Sequence, residues 1–383
     1  VNITHFSFKD YRVGFNVKPI RFNRVNLLVG ASGSGKSMAI RSLALLKNVA
    51  DGELGNGVEW DVEFETTDNL RYRWEGAFDE IEPEQDPEFE DAEFEPPEAP
   101  IARERLHLND EPIIEREGER LSVNRVKKRR LDDPLSIIHI LKDHDVIAPA
   151  YNALARITLG NEAESRHGPA MSAPMNVENL ARRFHSVENI VRSKEDVMVK
   201  LYLVYRQGDS AFWKIRDAMR KAFTRVADLR VVLRRPDRDI PFHAPVVQIR
   251  ERGLERWIDE SAMGAGVYST LVHIALHRLS PPQSVILHED LEKGVGANCL
   301  EPITELLKTN PNDHQYIVSS HHPFLVNLLG RERWRVTTRE GGDVSCLPAE
   351  ELATEDNPLR NYMHLLRLEE QRDGAGQTEA EGA

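Results

Sequence analysis

Cysteine is scarce: the 383 residues contain two, Cys299 and Cys346. Two cysteines build neither a disulfide framework nor the paired spacing of a zinc site, so both read as buried or incidental thiols. Long apolar runs are missing as well. No uninterrupted stretch approaches the roughly 20 residues that a membrane-crossing helix needs. The opening VNITHFSFKDYRVGF alternates apolar and polar residues instead of forming the apolar segment of a signal peptide. The expectation is a cytoplasmic protein with no membrane partner. No heptad series is sustained, which argues against a long coiled-coil arm. An excess of positive charge is also absent. Lys and Arg number 50 against 63 Asp and Glu, a formal net charge of −13, which excludes a surface basic throughout but not a local basic face.

Much of the acidity lies in DEIEPEQDPEFEDAEFEPPEAP, Asp79 to Pro100, where repeated carboxylates and prolines disfavour a packed core. Basic runs occur at RVKKRR (125–130) and RVVLRRPDR (230–238). Short runs of this kind are more often solvated surface than nucleic-acid sites. Hydrophobic residues make up 40% of the chain, enough for a substantial core in one large or two ordinary domains.

Along the chain, ITHFSFKDY and VKPIRF predict edge or hairpin strands, and VNLLVG (25–30) a strand buried on both faces. A helix is expected from Lys36 to about Leu46. NGVEWDVEFETTDNLRYRWEGAF alternates like an antiparallel pair turning near Thr67–Asn69. From about Pro134 to Val226 the spacing is mostly helical, including SIIHILKDHDVIAPAYNALARITL, with a Gly/Pro/Ser-rich loop at 160–176. LRVVL and APVVQIRE return to strands. The expected organisation is an α/β protein with residues 1–133 carrying a strand subdomain and the acidic loop, 134–227 an inserted helical lobe, 228–350 the remaining α/β elements, and 351–383 a short helix and frayed tail.

The sharpest motif is GASGSGKS: Gly30, Ala31, Ser32, Gly33, Ser34, Gly35, Lys36 and Ser37. It follows a buried strand and opens an apolar-striped helix, the context a phosphate loop requires. Its glycines allow a tight wrap with N–H groups facing phosphate oxygens, and the helix N-terminus favours negative charge. Lys36 would reach the β- and γ-phosphates, and the Ser37 hydroxyl would ligate Mg²⁺. Adenine and guanine are not distinguished by any motif.

A second stretch, PPQSVILHEDLEKG (281–294), runs from an apolar strand into carboxylates. A nucleotide brings a hard cation that needs oxygen ligands. Glu289 is expected to hold Mg²⁺, delivered beside Ser37 from a neighbouring strand, and Asp290 to orient or deprotonate the attacking water. In the alternative register His288 is metal-side and Glu289 the base, a weaker fit because imidazole suits Mg²⁺ poorly; His288 otherwise ends the strand in a polar or partly covered position. A surface acidic loop is the bland reading. His321 and His322 follow the apolar QYIVSS, while Trp213, Trp257 and Trp334 read as packing residues.

The order GASGSGKS, SAMGAGVYSTLVHIAL, VILHEDLEKG, YIVSSHHPFLVNLL resembles the ATP-binding-cassette ATPase head of the SMC/RecF-like class. More narrowly it resembles compact AAA-family ATPases related to overcoming-lysogenization-defect and anti-phage ATPases. The likeness is strongest over residues 1–50 and 245–345. It implies an ATP-binding-cassette-like head in which two protomers sandwich ATP and Mg²⁺, with Lys36, Glu289, Asp290 and His321 at the γ-phosphate. Gly264 and Gly266 fall at the signature positions that approach the partner's nucleotide, and LEKGVG at the loop through which heads communicate. An alternative signature register uses Ser261 with Met263–Gly264. The chain departs from the family in placing Asp290 where a glutamate is usual, which loosens water placement. The glutamine loop has no secure position; the region around Ser136 is its candidate.

The resemblance implies an ATPase switch, a homodimer closed by ATP, a separate effector protein, a role in anti-phage defence, and double-stranded DNA as a candidate partner. The alternatives are a non-hydrolysing or slow ATP-gated sensor or scaffold, and a DNA-maintenance ATPase. A nuclease is disfavoured because the carboxylates already have a task at the nucleotide.

Overall fold

The computed structural model describes residues 1–81, 98–123, 126–127, 131, 133–160, 182–235, 243–296 and 299–351. The acidic stretch at 82–97, all of the basic run 125–130 but Val126 and Lys127, most of the loop after Gly160 and the C-terminal segment 352–383 lie outside the described residues. No described helix is long and apolar enough to cross a membrane.

The chain opens with the hairpin β1 (Asn2–Asp10) and β2 (Phe15–Arg21), then β3 (Val25–Val29) and helix α1 (Lys36–Asp51). An antiparallel run follows: β4 (Val58–Glu65), β5 (Arg71–Phe78), β6 (Ile101–Leu108), β7 (Glu111–Glu117), β8 (Arg120–Val123) and β9 (Val126–Lys127). Helices α2 (Ile137–Ile140) and α3 (Ala148–Leu154) lead to β10 (Ile157–Leu159). Then come α4 (Val187–Arg192), α5 (Val197–Arg206), α6 (Ser210–Ala222) and a small sheet of β11 (Val226–Arg234), β12 (Ala244–Glu251) and β13 (Ile258–Asp259). The final stretch carries α7 (Ala265–Leu279), β14 (Val285–His288), α8 (Leu300–Thr309), β15 (Gln315–Ser319), α9 (Pro323–Leu329), β16 (Trp334–Glu340) and β17 (Asp343–Pro348).

Among the described residues fourteen strands form one sheet, ordered β10-β14-β15-β3-β16-β17-β2-β1-β4-β5-β6-β7-β8-β9. The first five are parallel, and the strands from β1 to β9 are joined antiparallel. The parallel strands read as continuous apolar runs because both faces are covered. Leu27 and Val29 of β3 point into one core with α5, α6 and α7, and Leu28 into the other with α1. α1 presents Ile40, Leu43, Leu46 and Val49 along one stripe, all fully buried. Each contributes about 1.5–3 kcal/mol of apolar burial, so Leu43→Ala would cost about 2–5 kcal/mol.

Several expectations change. α1 continues past Leu46 to Asp51, because Val49 and Ala50 extend the buried stripe. The helical run expected over 136–159 breaks into α2, α3 and the edge strand β10. Its Ile157, Thr158 and Leu159 pair with Val285, Ile286 and Leu287, and the β-branched pair suits a strand once β14 offers an edge. Trp213 is 40% exposed rather than packed, covered on one face by the Arg216 guanidinium. Trp334 is fully buried, and Trp257 lies beneath the Arg230 and Arg250 guanidinium groups. Both cysteines are free and buried.

Candidate nucleotide site

The site lies where the parallel strands end. Leu28 of β3 is level with Ser319 of β15, and Val318 of β15 with His288 of β14. The segments after the three strands, 30–35, 320–322 and 289–292, therefore leave the sheet side by side at its carboxyl end, where open α/β sheets place ligands. The acidic strand is not the immediate neighbour of β3, as the sequence suggested; β15 lies between them. With that order the segment after β15 brings His321 within electrostatic reach of both Lys36 and Asp290.

The loop 30–35 is shaped by close contact. A Cβ on Gly30 would lie 2.3 Å from the Thr337 carbonyl oxygen, and one on Gly35 would lie 2.5 Å from Val344 Cγ2. Gly35 also has φ +95°, so it serves both clearance and the left-handed turn into α1. Lys36 is buried and curls back over the loop. Its Nζ donates to the carbonyls of Gly30 (2.9 Å) and Ala31 (2.6 Å) and to Ser34 Oγ (3.3 Å).

Glu289 is buried, and its two oxygens accept from Arg41 Nε (2.7 Å) and Nη2 (3.0 Å). Asp290 has φ +47°, a region an aspartate tolerates better than most residues. Its N–H donates to Ser319 Oγ at 2.9 Å, and the next N–H, of Leu291, donates to the Ser319 carbonyl at 2.9 Å. These bonds hold the carboxylate of Asp290 3.9 Å from His321 Nε2. Glu292 Oε1 accepts the His321 backbone N–H at 2.7 Å and so ties the histidine loop to the acidic loop. Burial, then the nearby Lys36 charge, lower the His321 pKa against the opposing pull of Asp290 and Glu292.

Lys36, Glu289, Asp290 and His321 thus gather at one end of the sheet. His288 does not join them. It is fully buried, with its ring 4.5 Å from that of His273 and Gly160 against its edge, so the register that made it metal-side is set aside. Ser136 is also elsewhere: it caps α2 and donates to Glu104 at 2.6 Å in the core. Gly264 precedes α7 and opens onto free space, whereas Gly266 packs on the 291–296 loop, where a Cβ would lie 2.8 Å from Gly296 N. Sequence reasoning missed Arg41, Ser319 and Glu292. Arg41 carries a readable signal, a cation about one turn beyond Lys36 on a helix facing an acidic strand; Ser319 and Glu292 act through backbone contacts that no spacing rule reveals.

Residues 25–327 match the family described as AAA domain, putative AbiEii toxin, type IV toxin–antitoxin system. The chain belongs to that family. It is an AAA-type P-loop ATPase domain with the head fold of SMC- and RecF-like ATPases, an antiparallel sheet and inserted helical elements. A solved SMC head bound to the C-terminal winged-helix domain of ScpA superposes with a TM-score of 0.53 at 14% identity, covering 92% of this chain and 100% of that one. An SMC head with an extended coiled coil, bound to the C-terminal domain of ScpA derived from Pyrococcus furiosus, gives a TM-score of 0.49 at 14% identity, with 92% and 97% covered. None of the curated proteins matches the chain. Family membership implies the use of ATP and Mg²⁺ typical of these ATPases.

The residues present suit that ligand pair. The glycines let the loop pack closely on Thr337 and Val344, the tight wrap that a phosphate cradle needs, and carbonyl oxygens of the loop already hold Lys36 there. Ser37 and Glu289 are the hard oxygen donors that would hold Mg²⁺.

Proposed function

We propose that the protein is a Mg²⁺-dependent ATPase switch whose ATP-held homodimer controls a separate effector protein. The observation that carries this reading is the 3.9 Å approach of His321 to Asp290 beside Lys36 and Glu289, at the carboxyl ends of three parallel strands. Lys36 would exchange its bonds to the Gly30 and Ala31 carbonyls for β- and γ-phosphate oxygens. Bound Mg²⁺, on Ser37 and Glu289, would neutralise charge developing on the phosphates. Asp290, aimed by Ser319, would accept a proton from the attacking water, and neutral His321 would donate to the γ-phosphate from its Nε2. Exposed Gly264, at the start of a fifteen-residue helix, would meet the γ-phosphate of a second protomer. The SMC head that shares this fold is bound to a ScpA domain, which supports a protein partner here; an anti-phage setting with such an effector follows the family resemblance.

The test is ATP-dependent dimerisation and phosphate release in the unmodified protein, Lys36→Ala and Asp290→Asn. Lys36→Ala should abolish nucleotide binding, and Asp290→Asn should accumulate an ATP-held dimer with phosphate release slowed at least ~100-fold. Normal turnover by Asp290→Asn removes Asp290 from the base role. One observation favours a slower, sensor-like reading: Glu289 is engaged by both Arg41 donors, so metal binding competes with an ion pair. ATP-triggered association without phosphate release would select it.

A further inference from the structure

Some eleven residues along α1 from Lys36, about 16 Å at 1.5 Å per residue, the same helix lines a second concavity. This cleft of about 460 Å³ lies against the edge strand β10 and is bounded by α1, α3, the start of α5 and the end of α7. Its size falls within the range of small-molecule sites. Five cations line it: Lys47, Arg156, Arg192, Lys194 and Lys200. The lining carboxylates are Glu195 and Asp196, and Asp196 already accepts the Met198 N–H as the cap of α5. In a chain of net charge −13, such a convergence opposes the general balance.

The positive groups are crowded and only partly neutralised. Lys200 is only 8% exposed, and among the described residues its Nζ makes one hydrogen bond, to the Val191 carbonyl at 3.0 Å, although an ammonium has three donors. Burial, then repulsion from Lys47, lowers its pKa to about 8 despite Glu195 and Asp196. Arg156, which donates to the Pro282 carbonyl at 3.0 Å, is likewise depressed by burial and then by Arg192. Two of the five do have acid partners. Lys194 meets Asp51 at 2.7 Å, beside the Tyr151 hydroxyl, and Arg192 meets Glu188 at 2.8 Å, but the Lys194 and Arg192 side chains are 68% and 63% exposed, so solvent weakens both pairs. Lys47, Arg156 and Lys200 have no such ion pair among the described residues. Gathering cations inside a concave wall costs stability unless an anion completes the site.

We propose that this cleft is a second anion site, distinct from the phosphate loop, that takes a small ligand carrying at least two phosphate groups. The buried position of Lys200 selects a compact ligand over a nucleic-acid backbone, because a duplex or extended strand would meet the exposed Arg192 and Lys194 and not the recessed ammonium. The site uses none of Gly30 to Ser37, so it stands or falls separately from the ATPase reading.

The experiment is isothermal titration of the full chain carrying Lys36→Ala, which silences the phosphate loop, with inorganic pyrophosphate as probe at low ionic strength. One site is expected, weakened about tenfold or more by Lys47→Met and by Lys200→Met in that background, as befits loss of a charge-assisted contact. Lys214→Met, an exposed lysine on α6, should leave the affinity unchanged. Circular dichroism checks that Lys200→Met folds, and the half-buried Lys47 keeps the test open if it does not. No pyrophosphate binding, equal affinity in Lys47→Met, or an equal loss in Lys214→Met would overturn the proposal. So would tighter, Lys47-dependent binding of a single-stranded 12-nucleotide DNA than of pyrophosphate, which would transfer the cleft to nucleic acid.

Discussion

Replacing Arg41 by methionine should make the protein need less Mg²⁺. The guanidinium holds both oxygens of Glu289, at 2.7 and 3.0 Å, and its side chain is 69% exposed against 9% for the carboxylate. At about 4 Å and an effective dielectric of about 20 the gross attraction is about 4 kcal/mol. Solvent on the arginine side and the lost side-chain freedom reduce the net value toward the upper end of surface pairs, about 1 kcal/mol. A divalent cation that claims Glu289 must first displace that pair. Removing it should therefore lower the Mg²⁺ concentration at half-saturation about fivefold, the factor that about 1 kcal/mol represents at room temperature. The assay is a Mg²⁺ titration of the binding of a fluorescent ATP analogue, with Arg41→Lys as the variant that keeps the charge and loses the fork. Without metal, Arg41→Met should also melt earlier, since a buried carboxylate has lost its partner, and Mg²⁺ with nucleotide should restore the difference. An unchanged or higher Mg²⁺ requirement would refute the competition.

Gly35→Ala should abolish nucleotide binding and lower stability by about 1–3 kcal/mol, from the φ +95° backbone and the contact with Val344; a melting curve and a nucleotide titration read both. Glu104 accepts from Trp74 Nε1 (2.9 Å), Ser136 Oγ (2.6 Å) and the Ile137 N–H (2.8 Å), with its pKa raised by burial. Glu104→Gln sets an amide donor against one of those donors and should cost about 1–3 kcal/mol in chemical denaturation, whereas an unchanged midpoint would count against the network. His277 and His314 are buried and lowered by burial to about 3 and about 4. Their contribution is complete above the unfolded value of 6.5 and is lost as pH falls toward the folded values. Going from pH 7 to 5 should thus cost about 2 kcal/mol for each, and a melting temperature that rises over that interval contradicts the assignment.

The strand–loop–helix around Gly30 to Ser37 was legible because its signal is local: spacing, glycine and the flanking periodicities all fall within 25–50. That residues 289–290 leave the end of a buried strand was legible for a related reason, an apolar run leading into carboxylates; their roles remain part of the proposal. What escaped was set by neighbours far away in sequence. β10 became a strand because β14 offered it an edge, which outweighs an intrinsic preference spread over three residues. His288 is enclosed by Gly160 and His273, contacts that no window around it contains. The interposition of β15 between the acidic strand and β3 is a matter of strand order, to which side-chain patterns along a single strand are blind.

The loop that follows Asp290 ends in a tight seat on α7. Gly294 fits against Ser269, and Gly296 presses on Gly266, two residues beyond the open face at Gly264. Six residues of backbone, 291–296, therefore lead from Asp290 to the contact with Gly266. In the proposed dimer this short strut would join Asp290 to the Gly264 face, so that a second protomer across it would feel the state of a nucleotide it does not hold.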